Sequence, residues 1–214
     1  SILLQRRKVN EDMNRKFDED RIENYEAKIV QILKQLIHES DCLLNLHDGS
    51  GFYASTWVSE QRNPARFGQS IIADAETYVH PDTGEKIDLG SIARSVCEEI
   101  NRRIDDPKLH FHFNNHRTRE ADSPNKEQRK SATFYALTHA GIPAYGIETS
   151  KSLPLEDKVR HHNLAINAFM DRLGVVPENP GLNLDPPALR YIIITVNDAP
   201  PMAVQANQVL RVAP

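Results

Sequence analysis

Apolar residues fall into short clusters whose spacing switches between helix and strand periods. From Arg21 to Glu39, Ile22, Tyr25, Ile29, Ile32, Leu33 and Leu36 recur at helical spacing and predict an amphipathic helix. It leads into Cys42-Leu43-Leu44-Asn45-Leu46-His47-Asp48, a strand-like run stopped by Gly49-Ser50-Gly51. A helix feeding a strand in this way suggests a crossover in an α/β sheet. Leu89, Ile92, Ala93, Val96, Cys97, Ile100 and Ile104 predict a second helix, and Leu109-His110-Phe111-His112-Phe113 alternates with period two, as a half-buried strand does. Ser123-Pro124 offers an N-cap with proline at the first position of a third helix, which Gly141 closes. Ile142 to Ser150 is a second apolar strand, with Glu148 near its end. Leu155, Val159, His162, Ile166, Phe169, Met170 and Leu173 predict the last long helix, stopped by Gly174.

Three stretches lack such a period. Residues 1–20 are polar and mixed in charge. Residues 50–90 are rich in Gly, Pro, Asn, Asp and Ser and predict a long structured loop region. Loops of that length tend to be functional, so this one is expected to border a cleft beside His47 or to form a surface excursion. After Gly174, Pro177, Pro180, Pro186 and Pro187 predict a linker over residues 177–188, and Leu189 to Val196 a strand turning at Asn197-Asp198 toward Met202–Val212. A hairpin cannot stand alone, so residues 189–214 are expected to open a second, β-rich domain after an α/β domain of residues 1–176.

Composition narrows the class without naming a reaction. The 214 residues are 39% hydrophobic and 26% charged, with a net charge of −4, which fits a globular protein. There is no overall basic field for nucleic acid, and no apolar run long enough to insert into a membrane. Cys42 and Cys97 sit in apolar patterns without CxxC spacing and are expected in the core; a disulfide between them stays open. The chain begins at Ser1 rather than Met, which suggests residues upstream, so no compartment is read from composition.

The chemistry lies at the strand ends. His47 and Glu148 would emerge where an open α/β sheet presents its ligands, with Arg7 and Arg15 available from the polar segment. A histidine and a carboxylate in that position suit metal-assisted hydrolysis, and arginines suit bidentate capture of a substrate carboxylate. His110 and His112 form an HxH pair that could bind a metal or simply face solvent.

Four ordered motifs carry a resemblance. Arg7-x-x-x-Glu11-Asp12-Met13-Asn14-Arg15-x-Phe17 resembles the Arg and Asp-x-Asn-Arg-x-Phe signature of the zinc carboxypeptidase superfamily, which includes the succinylglutamate desuccinylase and aspartoacylase branch. Leu44-Asn45-Leu46-His47-Asp48-Gly49 is similar to that family's third zinc ligand, and Ala144-Tyr145-Gly146-Ile147-Glu148 to its catalytic glutamate strand. Asn45 to Tyr53, Glu127-Gln128-Arg129-Lys130-Ser131 before Tyr135, and the Tyr191–Val212 segment resemble most the bacterial D,L-carboxypeptidases that trim peptidoglycan stem peptides and influence cell shape. The resemblance implies an α/β/α domain of three layers with a mixed sheet. It also implies zinc held by His47, water activated by Glu148, a carbonyl polarised by Arg7, a terminal carboxylate held by Asn14 and Arg15, and a periplasmic location. It leaves the family's assisting tyrosine unassigned among Tyr53, Tyr135 and Tyr145. The alternatives are a cytoplasmic deacylase of a small N-acyl amino acid and a metal-free carboxylate-binding relic. The family's two other zinc ligands, HxxE or QxxE, precede the Asn-Arg motif, and nothing upstream of Asn14 supplies them, so the expectation is an amino-terminally shortened piece of an enzyme or a relic.

Overall fold

In chain order the elements are α1 (Tyr25–His38), β1 (Leu43–Gly49), β2 (Phe52–Tyr53), β3 (Arg62–Asn63), β4 (Ser70–Ala73), β5 (Tyr78–Val79), β6 (Lys86–Ile87), α2 (Leu89–Asn101), β7 (His112–Asn115), α3 (Ala132–Tyr135), β8 (Ala144–Ser150), α4 (Leu155–Leu173), β9 (Tyr191–Ile194) and β10 (Met202–Gln205). The structure, a computed structural model, describes residues 10–176, 191–195 and 202–205. The chain divides into two compact units, Ser1–Val176 and Pro177–Pro214.

The first unit is built on a mixed sheet in the order β1-β8-β4-β7. β1 and β8 run parallel, β4 runs antiparallel to β8, and β7 runs parallel to β4. Alternation along each strand sends side chains to two different cores. Tyr145 and Ile147 of β8 and Ile71 and Ala73 of β4 pack with α2 and α4, through residues such as Leu89, Ala93, Val96, Ile100, Ala165 and Phe169. On the other face Ala144 packs with Phe17, Val30, Ile37, Ala132 and Ala136. Helices on both faces of a mixed sheet make the three-layer α/β/α arrangement that the resemblance implies. Gln69, buried just before β4, ties the end of β8 to the segment before β7: its Nε2 donates to the Leu109 carbonyl at 2.8 Å and its Oε1 accepts from the Ser150 amide at 3.3 Å. Cys42 and Cys97 are both free thiols.

Three local expectations give way to different structure. Within residues 50–90, Ser70-Ile71-Ile72-Ala73 is a fully buried strand inside the sheet, not loop. A strand of four residues covered on both faces has no polar face to alternate with, so no period marks it. Helix α1 buries Ala27, Val30, Lys34 and Ile37, while Tyr25 is 72% exposed and Ile32, Leu33 and Leu36 also face outward. Lys34 is inside because its stem packs there while its Nζ reaches the Glu19 carbonyl at 2.8 Å and Asp20 at 3.0 Å. The third helix begins not at Ser123-Pro124 but at Ser131, whose Oγ accepts from the Phe134 amide. Ser123 instead donates to the His116 carbonyl at 2.9 Å. A π-helical turn over Ala136–Ala140 continues α3, and it stops at Gly141, with φ +69°, where the sequence predicts the end.

In the second unit β9 and β10 pair antiparallel, Ile194 opposite Met202. The predicted linker of residues 177–188 and the Asn197-Asp198 turn lie outside the described residues. Among the described residues no helix is long and apolar enough to cross a membrane.

Candidate active site

His47 and Glu148 are register partners in the parallel β1–β8 pair, so their side chains leave the same face of the sheet side by side. Both are half-buried. Gly49, the last residue of β1, leaves room for close neighbours: a Cβ there would lie 2.5 Å from Phe67 Cβ and 3.0 Å from a Glu148 carboxylate oxygen.

Asn14 and Arg15 approach from a single 3₁₀ turn, Met13–Arg15, whose start is capped by Asp12 accepting from the Asn14 amide at 3.1 Å. The Asn14 Oδ1 accepts from Asn45 Nδ2 at 3.3 Å and from the Ala132 amide at 3.0 Å. Both contacts go to its oxygen, so Nδ2 is the group able to donate to a ligand. Arg15 Nη1 donates to the Asn14 carbonyl at 2.8 Å, which holds the guanidinium beside it. The Asp-x-Asn-Arg motif is thus a local turn that presents an amide and a guanidinium together.

Asn14, Arg15, His47 and Glu148 line one cavity of about 270 Å³. Gly146 and Ile72 form its floor across β8 and β4, and Asp74 and His116 line it beyond them. Asp74 and His116 each stand one residue past the last register pair of β4 and β7, Ala73 opposite Asn115. The ladder continues there: the His116 amide donates to the Ala73 carbonyl at 2.9 Å, and the Thr118 amide to the Asp74 carbonyl at 2.9 Å. Thr118 Oγ1 donates to Asp74 Oδ1 at 2.5 Å. Burial pushes the Asp74 carboxyl up to about 6 against the hydrogen bonds from Thr118 and Thr133. Burial, with the Arg15 charge second, pushes the His116 imidazole down to about 4.

Among the predicted site residues, the structure therefore brings Asn14, Arg15, His47 and Glu148 together, while Arg7 lies outside the described residues. His110 and His112 do not join them; His110 Nε2 contacts the Ile104 carbonyl at 2.9 Å. Of the candidate tyrosines, Tyr145 is buried among the α2–α4 core and Tyr135 Oη contacts His38 at 3.0 Å; neither lines the cavity. Sequence reasoning missed Asp74, His116 and Thr133. A signal existed for His116: the alternation from His110 through His112, carried two steps further, reaches it.

The described residues do not by themselves make a metal centre. No three His, Cys, Asp or Glu side chains converge among them, and residues 1–9 contain none of these types. His47 offers one imidazole, where a zinc site takes three protein ligands or more.

Residues 1–194 match the sequence profile of a family described as the catalytic part of a carboxypeptidase controlling helical cell shape. The chain belongs to that family. No curated protein matches the sequence. Among solved structures, the tripeptide-bound form of the cell shape determinant Csd4 from Helicobacter pylori is 32% identical with a TM-score of 0.75, covering 86% of this chain. The form of Csd4 bound to mDAP, described as a D,L-carboxypeptidase, is also 32% identical, with a TM-score of 0.74 over 82% of this chain. This member of the cell-shape carboxypeptidase family spans 43% and 41% of those two chains.

Proposed function

We propose that the protein containing this chain is a zinc-dependent D,L-carboxypeptidase of the periplasm, releasing the terminal residue of a peptidoglycan stem peptide. The observation that carries the reading is the convergence of His47, Glu148, Asn14 and Arg15 on one cavity, from three separate parts of the sequence. Family membership, and the tripeptide and mDAP bound in the Csd4 structures, support it.

In this reading Asn14 Nδ2 and the Arg15 guanidinium hold the substrate's terminal carboxylate, a planar pair of acceptors that matches the planar fork. That anchor fixes the scissile amide above the β1–β8 ends. Glu148 accepts a proton from the attacking water and delivers it to the leaving nitrogen, the role of a positioned carboxylate. Arg7 is assigned to the scissile carbonyl, where a fixed positive charge stabilises the developing oxyanion. Zinc would act as a Lewis acid there with His47 among its ligands, and the described residues leave that set incomplete.

The test is the full-length protein with a muramyl tripeptide. The reading expects stoichiometric zinc and release of free diaminopimelate, with release abolished in Glu148→Gln. Zinc without release would sink the substrate assignment, and a full-length protein that binds no zinc would sink the metallopeptidase.

A further inference from the structure

The first turns of α4 meet the sheet beneath the site. Tyr145 and Ile147 of β8 pack against α4, and alternation carries Thr149 to that same face, with Asp48 of β1 as its register partner. His47 and Glu148, one residue earlier on each strand, are also partners and line the cavity on the opposite face. Each of the two functional side chains is therefore followed at once by a residue whose side chain reaches the helix.

Lys158 and His162, one turn apart on α4, take one each. Lys158 Nζ donates to Asp48 Oδ2 at 3.1 Å, and His162 Nε2 shares a hydrogen bond with Thr149 Oγ1 at 3.2 Å. Thr149 is fully buried, so that bond cannot be exchanged for one to water. His161 Nδ1, beside them on the helix, contacts Gln69 Nε2 at 3.1 Å, and Gln69 in turn holds the Ser150 amide. The Lys151 amide donates to the Gly49 carbonyl at 2.8 Å and so joins the two strand ends. Among the described residues β1 is an edge strand, paired on one side only, and His47 lies two residues from its end.

We propose that Lys158 and His162 are positioning residues: by holding Asp48 and Thr149 from the opposite face of the sheet, they set the spacing and direction of His47 and Glu148. Neither lines the cavity. A misplacement of about 1 Å at a reacting group costs about 100-fold in rate, and loss of a residue that orients a metal ligand costs about 10- to 100-fold in metal affinity or activity. The Lys158–Asp48 pair is partly exposed and adds little to stability, so its contribution is alignment, and the buried Thr149 bond carries more of it. The inference rests on the carboxypeptidase reading for the roles of His47 and Glu148.

The experiment compares full-length wild type with Thr149→Val, Lys158→Met and Lys158→Arg. With a muramyl tripeptide, Thr149→Val should lower kcat by about 10-fold and Lys158→Met by about threefold. KM should stay within about twofold of wild type in both, because Asn14 and Arg15 anchor the substrate from another part of the chain. Zinc should pass to a chelator faster by about the same factors. Lys158→Arg keeps the ion pair and should hold kcat and zinc retention within about twofold of wild type. His162→Leu removes the buried bond from the helix side and decides the matter if Thr149→Val does not fold. A merely structural role would lower the thermal midpoint and leave zinc retention, and kcat measured well below that midpoint, unchanged. That result, or a rise in KM without a fall in kcat, would overturn the proposal. If wild type binds no zinc or leaves the tripeptide uncut, the carboxypeptidase reading fails, and backbone hydrogen exchange tests the positioning by itself. Thr149→Val should then speed exchange in β1 and β8 while α2 keeps the wild-type rate, and equal acceleration in all three, or in none, refutes it.

Discussion

The two ends of the cavity are built alike and were announced differently. At one end His47 and Glu148 stand at the carboxyl ends of the parallel pair β1–β8; at the other Asp74 and His116 stand just past the parallel pair β4–β7. The antiparallel contact between β8 and β4 turns the second pair around, so both pairs contribute to one cavity on a single face of the sheet. The first end is half-buried, the second almost fully buried. A reacting group must meet substrate and water, whereas a group that takes no part in the reaction can be taken out of water. That division gives each end its own way to fail.

Glu148→Gln should produce the largest effect. It keeps shape and one acceptor but removes the base, so kcat should fall by about a thousandfold while the thermal midpoint and tripeptide binding change little. Single-turnover release of diaminopimelate measures it. Loss of binding in place of turnover would move Glu148 from chemistry to recognition and erase the contrast between the ends.

The second end should show itself in stability rather than turnover. The carboxyl of Asp74 is raised from its ordinary value to about 6, so between about pH 4 and 6 the folded state holds more protons there than the unfolded chain. Its contribution to stability is therefore full at low pH and declines as pH rises through that window. The imidazole of His116 is lowered to about 4, so from about 4 to 6.5 the unfolded chain holds more protons and stability rises with pH. The two slopes oppose each other in the wild type. Relative to it, Asp74→Asn should make stability rise more steeply between pH 4 and 6, and His116→Gln should make it fall, each by about 2 to 3 kcal/mol across the window. Urea titrations at pH 4, 5 and 6 test this, and parallel curves for all three proteins would refute it.

How much of this was legible depended on whether the sequence left a contrast to see. Helix α2 is legible because its apolar stripe, Leu89 to Ile100, is also its buried stripe. Helix α1 has the same kind of stripe, yet Tyr25, Ile32 and Leu36 face outward, because the side facing Phe17 and Ala132 is filled by Ala27, Val30, Ile37 and the stem of Lys34. Spacing gave the helix, and packing chose the face. The His47 and Glu148 strands were visible because an apolar run stops at a polar group, and the Asn-Arg turn because its residue types are specific. Asp74 closes a run of the same form, Ser70 to Ala73, but that run has four residues and sits in a stretch rich in turn formers. Its place beside β8 is a long-range pairing that no local pattern encodes.

The close fit around Glu148 predicts a smaller effect on stability. A methyl at Gly49 would meet Phe67 Cβ at 2.5 Å, closer than carbon atoms approach, so Gly49→Ala must displace Phe67 or the strand end. Such overpacking costs about 1 to 3 kcal/mol, and it should lower the thermal midpoint together with turnover. An unchanged midpoint would mean that the strand end yields freely and does not hold Glu148 in place.

Gly146 should give the smallest stability change and the sharpest view of whether one substrate meets both ends. It lies on the cavity floor between them, and a Cβ there would meet Ile72 Cβ at 3.5 Å, an ordinary contact. Alanine therefore fits the fold and should be neutral or stabilise the strand by up to about 1 kcal/mol. The added methyl takes room above that floor. A substrate whose leaving side chain lies over Gly146 should suffer a severalfold rise in KM with kcat nearly unchanged, whereas one too short to reach it should not respond. Steady-state kinetics on tripeptides ending in diaminopimelate and in alanine separate these cases. An equal response from both substrates would mean that the leaving residue does not cross the β8–β4 floor, and the second end of the cavity would then lie outside the path of the substrate.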